Sequence, residues 1–413
     1  MTLRVGSGGG SMRVVAQFLE GGATSAAISP DRAVARLRRA GDVLPLTDIC
    51  LGWNLPSPLI EAVAGEAKSR GTALWLWHPL LSGDGQYEPA EDVTLGRYGS
   101  PLPWPRGMAE FAFDCPNRGR GLERALDRLD VAIERGPWDG VFLDKIRWPS
   151  PTRDPADDLA CFCDDCRSMS IDAGVDLAAV ADHVTRQASN PAGRVELLAE
   201  LLGRLDGPVA SFATWRCGRI THTVREAAAR VSTHTTAGGE PLRLALDVFA
   251  PSLARAVGQD ISSLAPLADF TKAMLYIGTN GPAGLPYELR GLLRWLDHGG
   301  VREPAARLAE MLGYPLPAAE PASGGTLGIA AFRAELTTLH DLAGESAAAG
   351  IDAVKLPGIA DLDDEALAEA TQLVASSGAT LVLAWDLWSM PPARLAIVAR
   401  ALGAATSKGA AAC

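Results

Sequence analysis

Residues 140–149 read GVFLDKIRWP, an apolar run that ends in closely spaced charged residues. A short apolar run bounded by Gly and Pro is typical of a buried strand. Similar runs occur along the whole 413-residue chain: RVVAQFLE (13–20), LTDICLGW (46–53), TALWLWHPLL (72–81), LRLALDVFA (242–250), FTKAMLYI (270–277), IDAVKLPG (351–358) and TLVLAWDLWS (380–389). We therefore predict eight strands.

Amphipathic stretches rich in Ala, Leu and Arg separate these runs, and they predict helices. Their ranges are 30–40, 57–70, 119–135, 193–232, 251–266, 283–312 with 329–349, 361–377 and 391–403. Asp361 is expected to open the seventh helix, and Gly350 to close the one before the seventh strand. Eight strand–helix alternations predict an α/β fold, a (β/α)8 TIM barrel. An open doubly wound sheet is the alternative, but no G-x-G-x-x-G follows the first strand.

The predicted organisation is one barrel domain over residues 13–405, with a flexible segment at 1–12 and a flexible tail at 406–413. The GSGGGS stretch at 6–11 is typical of a linker. Two longer segments, 82–118 and 150–192, interrupt the regular spacing after strands 3 and 4. Both leave the barrel on its C-terminal side, where the active sites of such barrels lie.

Composition excludes some partners. The net charge of −11 argues against nucleic acid and anionic membranes, which favour basic surfaces. No apolar run is long enough for a bilayer, and no signal pattern is evident. Unpaired Cys50, Cys217 and Cys413 then suggest a reducing cytoplasm. A homo-oligomer built through the two long segments stays open.

Four cysteines form a second pattern: Cys115 in FDCPN, and Cys161, Cys163 and Cys166 in CFCDDC, 46 residues downstream. Four thiolates can enclose one Zn2+ tetrahedrally, and so full a ligand shell makes a site structural and not catalytic. The alternatives are two disulfides or free buried thiols. The metal would join the two long segments beside the mouth of the barrel.

Charged residues recur at inward positions near the strand ends, where a barrel places its active site. Charges within apolar strands are costly unless they are paired or functional. Strand parity predicts this placement for Glu20, Asp144, Asp247, Lys272, Lys355, Asp386 and Trp388. Tyr276 lies further along strand 6, and His78 ends strand 3. So many polar groups at one mouth are better explained by a site than by isolated ion pairs.

Tryptophans cluster near the same strand ends: Trp53, Trp75, Trp77, Trp148, Trp385 and Trp388. Sugar rings stack on indoles, so carboxylates among tryptophans suggest a carbohydrate substrate. For Trp75 and Trp385 we expect core packing instead.

The four-cysteine pattern resembles the zinc cluster of the family-42 β-galactosidases, which lies near the mouth of a (β/α)8 barrel. The segments 139–151, 161–166, 246–276 and 281–289 resemble a looser group of barrel glycoside hydrolases. The resemblance implies supporting roles for His78, Tyr276 and Trp388. Family 42, however, ends strand 4 in Asn-Glu and strand 7 in Glu. Here these places hold Asp144-Lys145 and Lys355, so β-galactosidase activity is not carried over.

Glycoside hydrolysis needs two carboxyl groups, about 5–9.5 Å apart. Asp144 is the first candidate, because its G-x-x-x-D context resembles the nucleophilic strand-4 aspartate of barrel hydrolases. Asp247 on the adjacent strand is the preferred partner, ahead of Glu288 and Asp386. Lys145, Arg147 and Lys272 would keep Asp144 ionised, although Arg147 could equally clamp its loop.

Two other functions remain open. Lys272 on strand 6 matches the position of the Schiff-base lysine in class I aldolases, and borohydride trapping with substrate would reveal that mechanism. The third alternative is a barrel that binds glycans without cleaving them, for which Asp144→Asn would keep ligand affinity and abolish no reaction.

Overall fold

The computed structural model describes residues 12–83, 92–102, 108–316 and 326–410, and these form a closed barrel of eight parallel strands in the order β1 to β8. The predicted (β/α)8 fold is therefore confirmed. The predicted segment 1–12, except for Met12, and the last three residues of the predicted tail lie outside the described residues. The predicted domain boundaries stay predictions.

The strands are β1 (Val14–Phe18), β2 (Asp48–Gly52), β3 (Ala73–Pro79), β4 (Gly140–Asp144), β5 (Arg243–Val248), β6 (Phe270–Met274), β7 (Ala347–Asp352) and β8 (Thr380–Ala384). The C-terminal ends of the strands hold several of the predicted site residues, with Asp144 in β4 and Asp247 in β5. β7 begins four residues before the predicted run at 351–358, so that prediction was wrong in position. Gly350 lies inside β7 and does not close a helix.

Helices cover the outside of the barrel and fill the long β4–β5 connection. They are α1 (Gly22–Ala26), α2 (Pro30–Gly41), α3 (Ser57–Ser69), α4 (Gly121–Ile133), α5 (Asp164–Asp172), α6 (Leu177–Ala188), α7 (Pro191–Leu201), α8 (Pro208–Val231), α9 (Pro251–Ala254), α10 (Ile261–Leu264), α11 (Leu285–His298), α12 (Pro304–Leu312), α13 (Ile329–Ala343), α14 (Asp364–Ser377) and α15 (Pro392–Ala410). Asp363, and not Asp361, caps α14. Within the described ranges, no helix combines the length and apolar character needed to span a bilayer.

The N-terminal end of the barrel is closed by a buried polar cluster. Arg13 forms a two-bond ion pair with Asp48 at 2.7 and 2.9 Å, and the Trp75 indole donates to the same carboxylate at 2.7 Å. The Arg13 guanidinium also lies 4.4 Å from the Phe270 ring centroid. This end is therefore filled by structural contacts, and Trp75 is a core residue as expected.

Candidate active site

A cavity of about 380 Å³ opens at the C-terminal end of the barrel. Its polar lining is Gln17, Glu20, Glu110, Asp144, Lys145, Arg147 and Asp247, and its apolar lining includes Met108, Phe111, Met274, Tyr276, Pro282, Ile359 and Trp385. Three of the carboxyl groups come from the ends of β1, β4 and β5. The cavity therefore brings together six predicted site residues: Glu20, Asp144, Lys145, Arg147, Asp247 and Tyr276.

Asp144 is the last residue of β4 and lies at the cavity wall. The chain turns sharply after it, because Lys145 adopts a left-handed φ of 53° and its N–H donates to Asp144 Oδ1 at 2.5 Å. A non-glycine residue in this region is uncommon and costs energy, so such residues concentrate at functional sites. Lys145 Nζ donates to the carbonyl of Glu110 at 2.7 Å, which joins the strand end to the opposite wall.

Asp247 lies on the strand next to Asp144. The ladder pairs Leu143 with Leu246, so the two aspartates are the next residues along neighbouring strands, whose backbones lie about 4.8 Å apart. Burial raises the pKa of Asp247 to about 8; the Lys272 ammonium opposes this shift and the Asp144 charge adds to it. Asp247 Oδ1 is enclosed without a hydrogen-bond partner among the described residues.

Lys272 lies beneath this cavity and not in its lining. Its side chain is fully buried, with Nζ 2.6 Å from Asp247 Oδ2 and in contact with the Tyr276 hydroxyl. Gly350 on β7 makes room for it, because a Cβ there would lie 2.4 Å from Lys272 Cε. Lys272 therefore contacts two residues of the cavity lining, Asp247 and Tyr276.

Glu20 faces the cavity from just beyond β1. Leu19 turns the chain with a φ of 59°, and its N–H donates to Asp386 Oδ1 at 2.8 Å. Glu20 accepts from Gln17 Nε2 at 2.8 Å. Burial raises the pKa of Glu20 well above its ordinary value, because this effect exceeds the opposing one of Lys272. Glu20 is thus a second group that favours the protonated form.

Arg147 lines both the main cavity and a smaller one of about 40 Å³. Its guanidinium lies between the rings of Phe113 and Phe249, at 4.4 and 4.6 Å from their centroids. Burial lowers the pKa of Arg147 to about 10, so it keeps its positive charge at neutral pH.

Glu288 lines the smaller cavity and not the main one. It accepts from Ser150 Oγ at 2.7 Å, from the Thr152 hydroxyl and from Ala283 N at 2.7 Å. These bonds tie α11 to the segment after β4. Glu288 therefore joins these two elements and does not line the cavity that contains Asp144.

Asp386 and Trp388 also lie outside the lining of the main cavity. Asp386 accepts from the N–H groups of Leu19 and Trp388 at 2.8 and 2.9 Å, so it joins the ends of β1 and β8. Burial raises the pKa of Asp386 to about 6. The Trp388 ring lies 5.1 Å from the Arg32 guanidinium.

His78 and Trp53 do not face the mouth, which corrects the sequence prediction. His78 pairs with Leu143, which points away from the side of the sheet occupied by Asp144. The His78 ring packs edge-on against Trp53 at 5.5 Å, between the barrel and α4. Trp77 has the inward parity, but it is buried below the cavity.

Replacing His78 by Leu is expected to make the protein less sensitive to acid. Burial, with a smaller effect of Arg128, lowers the pKa of His78 to about 3. The unfolded chain binds this proton near pH 6.5, so folding loses up to about 1.4 kcal/mol per pH unit as the pH falls towards 3. Melting temperatures between pH 7 and pH 4 test this, with His222→Gln at a half-exposed histidine as control. Parallel curves for His78→Leu and the wild type would contradict it.

Lys355 is likewise not a strand residue. It lies in the loop after β7, with its side chain 52% exposed and 3.7 Å from Asp361. The residue that ends β7 is Asp352. It was not among the predicted site residues, because the strand was predicted at 351–358. Asp352 accepts from Gly278 N and Thr279 Oγ1 at 2.9 and 3.0 Å, and burial raises its pKa to about 6.

Trp385 lines the cavity, although core packing was expected for it. It follows β8 directly and is only partly buried. Of the tryptophans at the strand ends, Trp385 is therefore the one positioned to contact a ligand in the main cavity. Parity within β8 could not reveal this position, because the strand ends one residue earlier.

The four predicted cysteine ligands come together. The sulfur atoms of Cys115, Cys161, Cys163 and Cys166 lie within 4.8 Å of one another, and all four residues are buried and outside disulfides. Cys115 Sγ lies 3.5 Å from Cys166 Sγ and 3.9 Å from Cys163 Sγ. A tetrahedron with Zn–S bonds of about 2.3 Å has sulfur separations of about 3.8 Å. The cluster could therefore hold a metal ion.

The charge around this cluster also suits a metal thiolate. Zn2+ with four thiolates carries a net charge of about −2. Arg216 is fully buried nearby, and Arg219 donates to Asn117 Oδ1, while Asn117 Nδ2 donates to Cys166 Sγ at 3.3 Å. Burial lowers the pKa of both arginines and the cysteines oppose that shift. Two arginine side chains are thus close enough to compensate part of the negative charge of a metal–thiolate centre.

No protein-family model matches the chain, and no curated protein matches its sequence. The fold is similar to that of the PgaB (BpsB) glycoside hydrolase domain from Bordetella bronchiseptica, with a TM-score of 0.56, 13% identity, and coverage of 94% of this chain and 98% of that one. A class V chitinase from Pseudomonas fluorescens Pf-5 has a TM-score of 0.45, 12% identity, and coverage of 96% and 100%. At 13% identity, the similarity to the Bordetella domain shows the fold alone. The family-42 resemblance stays a prediction.

Proposed function

We propose that the protein is a glycoside hydrolase in which Asp144 works with a second carboxyl group, Asp247, at the mouth of the barrel. The observation that carries the proposal is the convergence of Glu20, Asp144 and Asp247 on one cavity beside Trp385 and Tyr276. Two carboxyl groups flanking a glycosidic bond are the minimal machinery for its hydrolysis. The structure with the highest similarity score reported above is also of a glycoside hydrolase domain.

The two aspartates are suited to different roles. Burial favours the protonated form of Asp247, which makes it the proposed general acid for the leaving oxygen. Asp144 is the proposed carboxylate that attacks the sugar or activates a water molecule. Glu20, whose pKa burial also raises, is the alternative acid. Indole and phenol surfaces from Trp385 and Tyr276 would pack against the sugar rings.

Zinc is the proposed metal of the cysteine cluster, with a structural role. Cys115 follows the segment that contributes Met108, Glu110 and Phe111 to the cavity wall. Cys161, Cys163 and Cys166 belong to the connection after β4. A metal bound by all four would hold the wall against the strand that carries Asp144. A cytoplasmic location and a homo-oligomer stay predictions.

A Schiff-base mechanism is less consistent with the geometry. Lys272 Nζ contacts Asp247 and Tyr276, and Lys272 is not part of the cavity lining. A carbonyl substrate would have to displace both contacts before it reached the nitrogen. The hydrolase proposal relies instead on Asp144 and Asp247, both of which line the cavity.

A leaving-group series is expected to identify the acid. If Asp247 protonates the leaving oxygen, Asp247→Asn should lower kcat/KM on 4-nitrophenyl glycosides by about 10²–10⁴-fold. The loss should be much smaller on 2,4-dinitrophenyl glycosides, whose leaving group needs no proton. Glu20→Gln is the matched comparison. An Asp247→Asn loss that is equal for both leaving groups would contradict the assignment, and a leaving-group effect in Glu20→Gln instead would transfer it to Glu20.

A further inference from the structure

We propose that Arg147 binds an anionic substituent of the substrate, so that the preferred glycoside carries a carboxylate or a sulfate group. This inference rests on the proposed function and narrows its substrate class. It starts from Arg147, which lines both the main cavity and the smaller one although only 3% of the residue is exposed.

The hydrogen bonds of Arg147 are largely unused. Nη1 donates to the carbonyl of Trp148 at 3.2 Å, and Nε is enclosed without a partner. In the part of the chain that the structure describes, Nη2 has no hydrogen-bond partner and no carboxylate forms an ion pair with Arg147. A buried cation that lacks a paired anion is costly, and a bound anion would remove that cost.

The neighbouring carboxylates do not form an ion pair with Arg147 among the described residues. Asp144, Glu288 and Asp247 all stabilise the charged form of Arg147 from a distance. Glu288 is bonded to Ser150, Thr152 and Ala283, and Asp247 contacts Lys272. Asp144 accepts from the Lys145 N–H. Each carboxylate therefore has another partner, and Arg147 is left facing the cavities.

The surroundings of Arg147 favour an oxyanion over a neutral hydroxyl. The rings of Phe113 and Phe249 pack against the guanidinium at 4.4 and 4.6 Å and restrict the side chain, so little side-chain entropy is lost when it binds. A planar, fixed guanidinium matches carboxylate and sulfate oxygens in pairs of hydrogen bonds. Lys145 lines the same cavity and adds a second positive charge there.

Arg216 offers a matched control for a purely structural arginine. It too is fully buried among aromatic rings, 5.6 Å from Phe212 and 5.8 Å from Trp148, and it donates to one backbone carbonyl, that of Ala256. Its Nε and Nη2 are both enclosed, and it lines neither of the cavities at the mouth. If Arg147 only clamps its loop, the two arginines should behave alike.

The test compares matched chromogenic glycosides with one aglycone: neutral hexosides, the corresponding uronides, and hexosides sulfated at O6. Wild-type protein should turn over a uronide or a sulfated hexoside with at least about tenfold higher kcat/KM than the neutral sugar, since charge-assisted bonds are the stronger ones. Arg147→Met should remove that preference chiefly through KM, and Arg147→Lys should restore part of it. Arg216→Met should lower Tm and keep the preference.

A binding experiment tests the same inference if the variant folds poorly or if no chromogenic substrate reacts. Glucuronate and glucose 6-sulfate are titrated against glucose by calorimetry, using wild-type protein and Asp144→Asn. Tighter binding of either acid supports the inference and tells carboxylate from sulfate. Equal kcat/KM for neutral and acidic glycosides, or no preferential binding of either acid, overturns it and leaves the hydrolase proposal intact. Preferential binding of an acid without any cleavage would contradict the hydrolase proposal alone.

Discussion

Asp144→Asn is expected to abolish glycoside cleavage, with a loss in kcat on the order of 10²–10⁴-fold or more. The substitution replaces a carboxylate at the end of β4 by an amide of nearly the same shape, in a cavity shared with Glu20 and Asp247. An amide cannot attack the sugar or accept a proton from water, while the contacts with the sugar remain. KM or ligand affinity should therefore change little, and the measurement is the steady-state rate beside calorimetric binding.

Asp386→Asn is the matched control for this experiment. It also replaces a buried aspartate near the mouth, but Asp386 accepts bonds from Leu19 and Trp388 and lies outside the cavity lining. We expect Asp386→Asn to lower Tm and to reduce kcat much less than Asp144→Asn does. If Asp144→Asn retained the wild-type rate on a cleaved glycoside, the two-carboxylate mechanism at this cavity would be wrong. Retained binding in a protein that cleaves nothing would favour the glycan-binding barrel.

Cys163→Ser is expected to remove the bound metal and to produce a large fall in Tm. Purified wild-type protein should contain about one Zn2+ per chain, because the four sulfur atoms already lie within 4.8 Å of one another. Binding energy of a structural zinc site contributes to folding, so its loss destabilises the protein directly. Metal content by mass spectrometry and Tm before and after chelation are the measurements.

Cys217→Ser is the control for the cysteine cluster, since Cys217 is a buried free cysteine on α8 outside it. Cys217→Ser should lower the free energy of unfolding modestly, because it places a hydroxyl in a buried position. It should leave the metal content unchanged. Full metal content in Cys163→Ser, or equal Tm losses in the two variants, would contradict a four-thiolate site. Iron in place of zinc would correct the metal and keep the ligand set.

Local sequence patterns determined the fold class and most strand positions. Runs such as GVFLD and TALWLW clearly indicate strands. Their β-branched and aromatic residues favour strands, and the runs are too short for helices. β7 was the exception. Its first residues are Ala347, Ala348, Ala349 and Gly350, and alanine favours helices. Pairing with β6 and β8 on both sides overrides that preference in the folded protein. The local sequence does not show this pairing, so the strand was predicted too late in the chain, which included Lys355 and missed the role of Asp352 as its last residue.

The sequence by itself also identified the candidate site residues, namely the strand-end carboxylates and the four cysteines. Only the tertiary structure decided which of them meet. Asp144 and Asp247 were predictable partners because neighbouring strands impose their distance, and they share the cavity. Glu20 reaches it through the left-handed turn at Leu19, and Arg147 is presented to it by two phenylalanines from separate segments. Such positions depend on contacts between residues far apart in the chain, and local periodicity contains no information about them.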